Sequence, residues 1–142
     1  MKILFTLVIV FSAFLVKAQD PQVVVDTKVH KMVMQFTVGD STEQASIVAQ
    51  VGNVLAAWPK AKIEVVCHSS GLAVLIANKS KVSKQIADLS SKGVIFAACN
   101  NTMRRLKIKK EDLLPTAVIV PSAFVEIVTK QEQGWAYLKG AH

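Results

Sequence analysis

Short apolar runs that read as strands alternate with segments of helical period along most of the chain. Nothing else in the sequence constrains the fold as strongly. Residues 31–38, 63–67, 94–98 and 117–120 are strand-like, and their apolar residues fall at consecutive positions more than at every second one. A strand apolar on both sides is buried on both sides, which marks a parallel sheet covered by helices. Between the strands, Ile47, Val51, Val54, Leu55 and Trp58 form one helical stripe that Pro59 ends. Asp40 with Glu43, or Ser41 with Gln44, fits a capping box at its start. Residues 72–77 read as a short helix, and residues 81–91 as a longer one with Val82, Ile86 and Leu89 inward and Gly93 closing it. Another short helix carries Met103 and Leu106, before a loop at 109–116. Pro121 and Ser122 open a last helix, expected to align Phe124, Ile127, Val128, Gln131, Trp135 and Leu138. The chain has 142 residues, room for one domain of the α/β class.

The first eighteen residues stand outside this pattern. Lys2 precedes an uncharged apolar run at 3–16, and Val16-Lys17-Ala18 presents a cleavage site. This three-part pattern reads as a signal peptide at residues 1–18. The run is shorter than the roughly 20 apolar residues of a spanning helix. The expected mature protein is 19–142, periplasmic or secreted, with no stable membrane anchor after cleavage. Losing Lys2 and Lys17 leaves fifteen of the seventeen basic residues against ten acidic ones, a net charge of +5. Arg104, Arg105, Lys107, Lys109 and Lys110 supply much of it. They have no interleaved aromatics for base stacking, so they read as a solvated helix end and loop, with no nucleic-acid partner.

Ligands of open parallel sheets bind outside the carboxyl ends of the strands. Those ends are Gly39-Asp40, His68-Ser69, Cys99-Asn100-Asn101 and Pro121-Ser122. No GxGxxG or P-loop follows the first strand, so the usual modes of nucleotide binding have no support. Cys99 falls just before a helix start, where unpaired N–H groups favour a thiolate. A small inert side chain at a strand end is the bland alternative. Asn100 or Asn101 is placed to cap that helix or to donate to a bound sulfur species. His68 is placed either to orient or deprotonate a partner or to hold the turn. Cys67 shares a strand face with Ile63 and Val65 and reads as core, the alternative being a resolving thiol for Cys99. Gln131, a polar residue on an apolar stripe, is expected to find buried partners. Trp135 and Tyr137 read as packing or subunit contacts. Three scattered histidines make no metal site, and neither a cofactor nor a metal is expected.

Four segments in this order and spacing resemble the DsrE/DsrF-like family, in its branch of small, often exported, uncharacterised members. They are His30-Lys31-Met32-Val33-Met34-Gln35, Ile63-Glu64-Val65-Val66-Cys67-His68, the run Lys92-Gly93-Val94-Ile95-Phe96-Ala97-Ala98-Cys99-Asn100-Asn101-Thr102, and Lys130-Gln131-Glu132-Gln133-Gly134-Trp135-Ala136-Tyr137. The resemblance covers about residues 29–139. It implies a three-layer α/β/α fold with a mainly parallel sheet of four to five strands. It also implies a homo-oligomer, commonly a trimer or hexamer. In sulfur-relay members a cysteine after a central strand carries sulfur as a persulfide, and the matching position here is Cys99. His68, Asn101 and Asn53 also fall on positions the branch uses. A fifth strand is not evident beyond residues 23–25. Relay members work in the cytoplasm with partner subunits, which departs from an exported chain.

Three functions follow as rivals. The first is a thiol or sulfur relay in which Cys99 accepts sulfur, His68 and Asn101 orient it, and a donor or acceptor protein or a small sulfur species is the partner. The second is a non-enzymatic module that binds a small ligand in the same strand-end cleft. The third is a structural oligomer.

Overall fold

A computed structural model describes residues 28–141. The expected leader and residues 23–25 lie outside the described residues. The elements run β1 (Lys31–Phe36), α1 (Ser41–Ala57), β2 (Lys62–Cys67), a 3-10 helix (Ser69–Leu75), α2 (Ser83–Ser91), β3 (Ile95–Cys99), α3 (Asn100–Leu106), a 3-10 turn (Lys110–Asp112), β4 (Val118–Val120), α4 (Ala123–Glu132) and β5 (Ala136–Lys139). The five strands form one parallel sheet in the order β4-β3-β2-β1-β5.

Chirality accounts for the layers. From β1 to β4 the chain steps across the sheet in one direction, and right-handed crossovers place α1, α2 and α3 on one face. From β4 the chain returns past the whole sheet to β5, so the same handedness sends α4 to the other face. The cores agree. Ile47, Val51, Ile86, Leu89 and Met103 from the first three helices pack on Met34, Phe36, Val65, Cys67 and Phe96. Beneath α4, Val33, Val66, Ala97, Cys99 and Val120 meet Ala123 and Ile127. Alternate residues of each strand thus serve opposite layers. This is the three-layer α/β/α arrangement.

The first helix starts as its sequence directs. Asp40 is the N-cap and accepts from the N–H of Glu43 at 3.0 Å. Gln44 is instead buried and ties the loops together, donating to the Gly39 carbonyl at 2.8 Å and accepting from the Lys81 N–H at 2.8 Å. The 3-10 helix begins three residues before the expected short helix, directly after His68. Its start is pressed against the end of β1. A Cβ on Gly71 would lie 2.5 Å from the Phe36 carbonyl oxygen, and the Gly71 N–H donates to Thr37 O at 2.9 Å. Gly71→Ala is therefore expected to cost about 1–3 kcal/mol of stability through overpacking against backbone. Urea unfolding checks this, and an unchanged midpoint would show that the turn shifts freely.

The last helix is shorter than its apolar stripe suggested. It ends at Glu132, and Gly134 follows with φ +80, a left-handed stop. Trp135 and Leu138 are therefore not helical. Residues 136–139 form the fifth strand, pairing with β1 through Met32↔Ala136 to Gln35↔Lys139. Gln131 is exposed rather than buried, and Leu106 is exposed on α3. The inward polar residue of α4 is Lys130, which reaches Glu64 on β2 at 2.7 Å. Glu64 is 2% exposed. The outer side of α4 presents Phe124, Val125 and Val128 to solvent.

Candidate functional site

The layer assignment fixes where a crevice opens. The connection after β3 goes to one face with α3, and the connection after β4 goes to the other with α4. Neighbouring strands whose continuations part in this way form a topological switch point, where open α/β sheets bind ligands. The last ladder pair of these two strands is Cys99↔Val120. Cys99 therefore lies at the switch point itself, between the first turns of two helices.

Its sulfur is surrounded by donors. The N–H of Ala123, at the start of α4, reaches Cys99 Sγ at 3.3 Å. Burial by itself would raise the thiol pKa. Hydrogen bonds from the N–H and hydroxyl of Thr102 and from the N–H groups of Ala123 and Asn101 outweigh it, and hold the thiol below its ordinary value. Cys99 is 4% exposed. It is reached from a cavity of about 290 Å³ whose walls include His68, Asn101, Arg105, Ser122 and Phe124.

Cys67 has the opposite surroundings. It is fully buried among Val65, Phe36 and Phe96 in the larger core, and burial pushes its thiol far above the ordinary range. Cys67 pairs with Ala98, one position before Cys99, so the sheet separates the two side chains onto opposite faces. That placement supports the core reading of Cys67 and leaves no path to a resolving role without rearranging β3. Both cysteines are free thiols.

His68 borders the Cys99 cavity but its ring nitrogens are engaged elsewhere. Nε2 meets the Gln35 carboxamide nitrogen at 2.8 Å, and Nδ1 meets Ser69 Oγ at 3.1 Å. Tyr137 Oη donates to the other end of the Gln35 amide, at 2.5 Å, which leaves the amide nitrogen to donate to Nε2. His68 Nε2 is then an acceptor, and the ring is neutral with its proton on Nδ1. Burial and the nearby Arg105 charge both lower its pKa. Phe124 packs edge-on at 5.4 Å. His68 forms a neutral wall of the cavity. Ser69 beside it is left-handed, with φ +52, so the turn is held in a strained conformation at the cavity mouth.

Asn101 borders the cavity too. Its backbone N–H serves the sulfur, while its side-chain oxygen accepts from Arg104. Asn53 is exposed on α1, away from this crevice. Sequence reasoning did not place Thr102, Arg105 or Gln35 at the site. Thr102 is the most instructive: its hydroxyl serves Cys99 and also accepts from the Ser69 N–H at 3.2 Å, joining both sides of the crevice. Arg105, read as part of a solvated basic cluster, stands in the cavity wall.

The fold is thus a parallel α/β/α domain with the Cys99 thiol at its switch point and helix N–H groups beside the sulfur. The chain belongs to the DsrE/DsrF-like family, whose model matches residues 30–139. Among solved structures it is similar to MTH1491, a protein of unknown function from Methanobacterium thermoautotrophicum. The two share 33% identity and superpose with a TM-score of 0.74, over 78% of this chain and 98% of that one. No curated protein matches.

Proposed function

We propose that this protein is an exported sulfur carrier that holds sulfur on Cys99 as a persulfide. The observation that carries this reading is the ring of N–H and hydroxyl donors around Cys99 Sγ, supplied by the starts of α3 and α4. The thiolate attacks the outer sulfur of a donor R–S–SH. The donor S–S bond breaks as the Sγ–S bond forms, the bonding pair leaves on R–S⁻, and the transferred sulfur keeps its proton. Delivery onward is the same exchange with the roles reversed. No external oxidant is needed. Export is supported by the charged start, apolar run and small-residue site of residues 1–18. Membership of a family linked to sulfur relay supports the chemistry.

Intact-mass analysis of the reduced protein after exposure to polysulfide tests this reading. The wild type is expected to gain one or more sulfur masses, and Cys99→Ser is expected to gain none. Equal gain in both proteins, or none in the wild type, would return the crevice to the role of a non-enzymatic ligand-binding site.

The assembly is proposed to be a homo-oligomer. Among the described residues a single helix covers the second sheet face, and its outer side exposes Phe124, Val125 and Val128, with Val118 and Ile119 exposed on β4. Apolar surface of this kind marks interaction sites. Light scattering at micromolar concentration is expected to give several copies, and a monomer would remove this part of the proposal.

A further inference from the structure

The Cys99 cavity is not isolated. Ser69 and Arg105 line it and also line a second, larger cavity of about 600 Å³. The larger one continues past Gly39, Ser70, Ala73 and Ile76 to Lys79. It lies within the range of about 300–1,000 Å³ typical of small-molecule sites, and the Cys99 cavity, at about 290 Å³, falls at the lower edge of that range. A smaller cavity holding a thiol thus adjoins a larger chamber, with Ser69 and Arg105 in the walls of both.

Two cations, Arg105 and Lys79, stand along this path, with the capping carboxylate of Asp40 as the one acidic side chain among the lining residues. Among the described residues no carboxylate pairs with Arg105 or Lys79. Asp40, the acidic residue of the larger cavity, caps α1 by accepting from the Glu43 N–H. Arg105 is also close enough for its charge to be felt at His68. The walls between Arg105 and Lys79 are largely backbone, hydroxyl and small apolar groups, suited to a flexible organic body.

Resting on the sulfur-carrier reading, we infer that the donor to Cys99 is a small organic persulfide with an anionic body. Its outer sulfur enters the Cys99 cavity, and its carboxylates lie against Arg105 and Lys79 in the chamber. The exchange is the one written above, with R–S⁻ leaving through the chamber. Arg105 is a binding residue here. It selects the donor by charge and leaves the chemistry of the sulfur to the helix N–H groups.

The test compares initial rates of sulfur loading of the full-length mature protein by mass, from three persulfides of differing charge. These are the persulfides of glutathione, 2-mercaptoethanol and cysteamine, whose organic bodies are anionic, neutral and cationic in turn, with polysulfide as a loading control. The anionic donor is expected to load Cys99 about tenfold faster than the neutral one, the cationic donor most slowly, and the preference is expected to shrink with added salt. Arg105→Gln is expected to bring the anionic-to-neutral ratio close to one, and Lys79→Gln to lower it by a smaller factor. Both side chains are exposed, so the fold tolerates the changes. A ratio near one in the wild type, or a ratio unchanged in Arg105→Gln, with Cys99 still loaded by polysulfide, overturns the inference alone. It would mean that sulfur arrives without the chamber, as from a protein-borne persulfide. Failure of every donor and of polysulfide to load Cys99 overturns the carrier reading and this inference together.

Discussion

Lys130→Met is expected to destabilise the protein by about 3–5 kcal/mol, the cost typical of stranding one member of a buried ion pair. Glu64 lies on β2 under α4 and is 2% exposed. Burial raises its carboxyl pKa, and the Lys130 hydrogen bond and charge draw it back. Lys130 itself is held by Glu64 at 2.7 Å and Glu126 at 3.5 Å, with its ammonium 4.6 Å from the centre of the Trp135 ring. Methionine fills the same volume but leaves Glu64 in an apolar layer without its cation. Glu64→Gln is expected to cost less, because Lys130 keeps Glu126 and a route to solvent. The double variant is expected to recover much of the loss, since neither charge is then stranded. Urea unfolding of the four proteins measures the coupling. A Lys130→Met protein within about 1 kcal/mol of wild type would show that Glu64 is already protonated in the native state.

Limiting iodoacetamide near neutral pH is expected to label Cys99 in preference to Cys67 by about a hundredfold or more, because the thiolate is the reacting species. Two effects act together. Hydrogen-bond donors lower the Cys99 thiol below its ordinary value of 9.0, and burial raises Cys67 far above it. Cys99 also opens onto a cavity, while Cys67 is fully buried. Denaturation should erase the difference. The pH dependence of Cys99 labelling should have its midpoint below that of an ordinary thiol, as the thiolate forms earlier. The same lowered value links to folding. Stabilisation from the native thiolate is fully present above the unfolded pKa and is lost as pH falls through the lower folded one. Preferential labelling of Cys67, or no native labelling at either thiol, would remove the activated-thiolate account of the site.

The central strands were legible because each is apolar at consecutive positions and bounded by turn residues. Cys99 and His68 were legible as strand ends for the same reason. Strand order was not, since nothing local records which strand lies beside which. The switch point between β3 and β4 therefore emerged only from the pairing. Residues 136–139 read as helix in the sequence because an edge strand exposed on both sides carries no burial pattern. Their side chains fit the stripe set by Ile127 and Trp135 as well as they fit a ladder. Gly134, with φ +80, was the local signal against a continuous helix. Lys130 rather than Gln131 turns inward because the carboxylate it meets is supplied by a distant strand. The donors that define the site are mainly backbone N–H groups of Asn101, Thr102 and Ala123, and a backbone group has no letter in a sequence.

The place of β5 also sets how the chain can be assembled. The last strand docks beside the first, Met34 opposite Leu138, after more than a hundred intervening residues. Until those final residues arrive, β1 has an open edge, and Gln35 lacks the Tyr137 hydroxyl that orients its amide toward His68. Contacts so distant along the chain come late in folding, after the loop entropy between them has been overcome. A nascent chain stopped short of residue 136 would have the Cys99 crevice without its oriented histidine wall and an unpaired template strand open to other chains. Closure by the C-terminal strand thus completes the sheet and the site in one step.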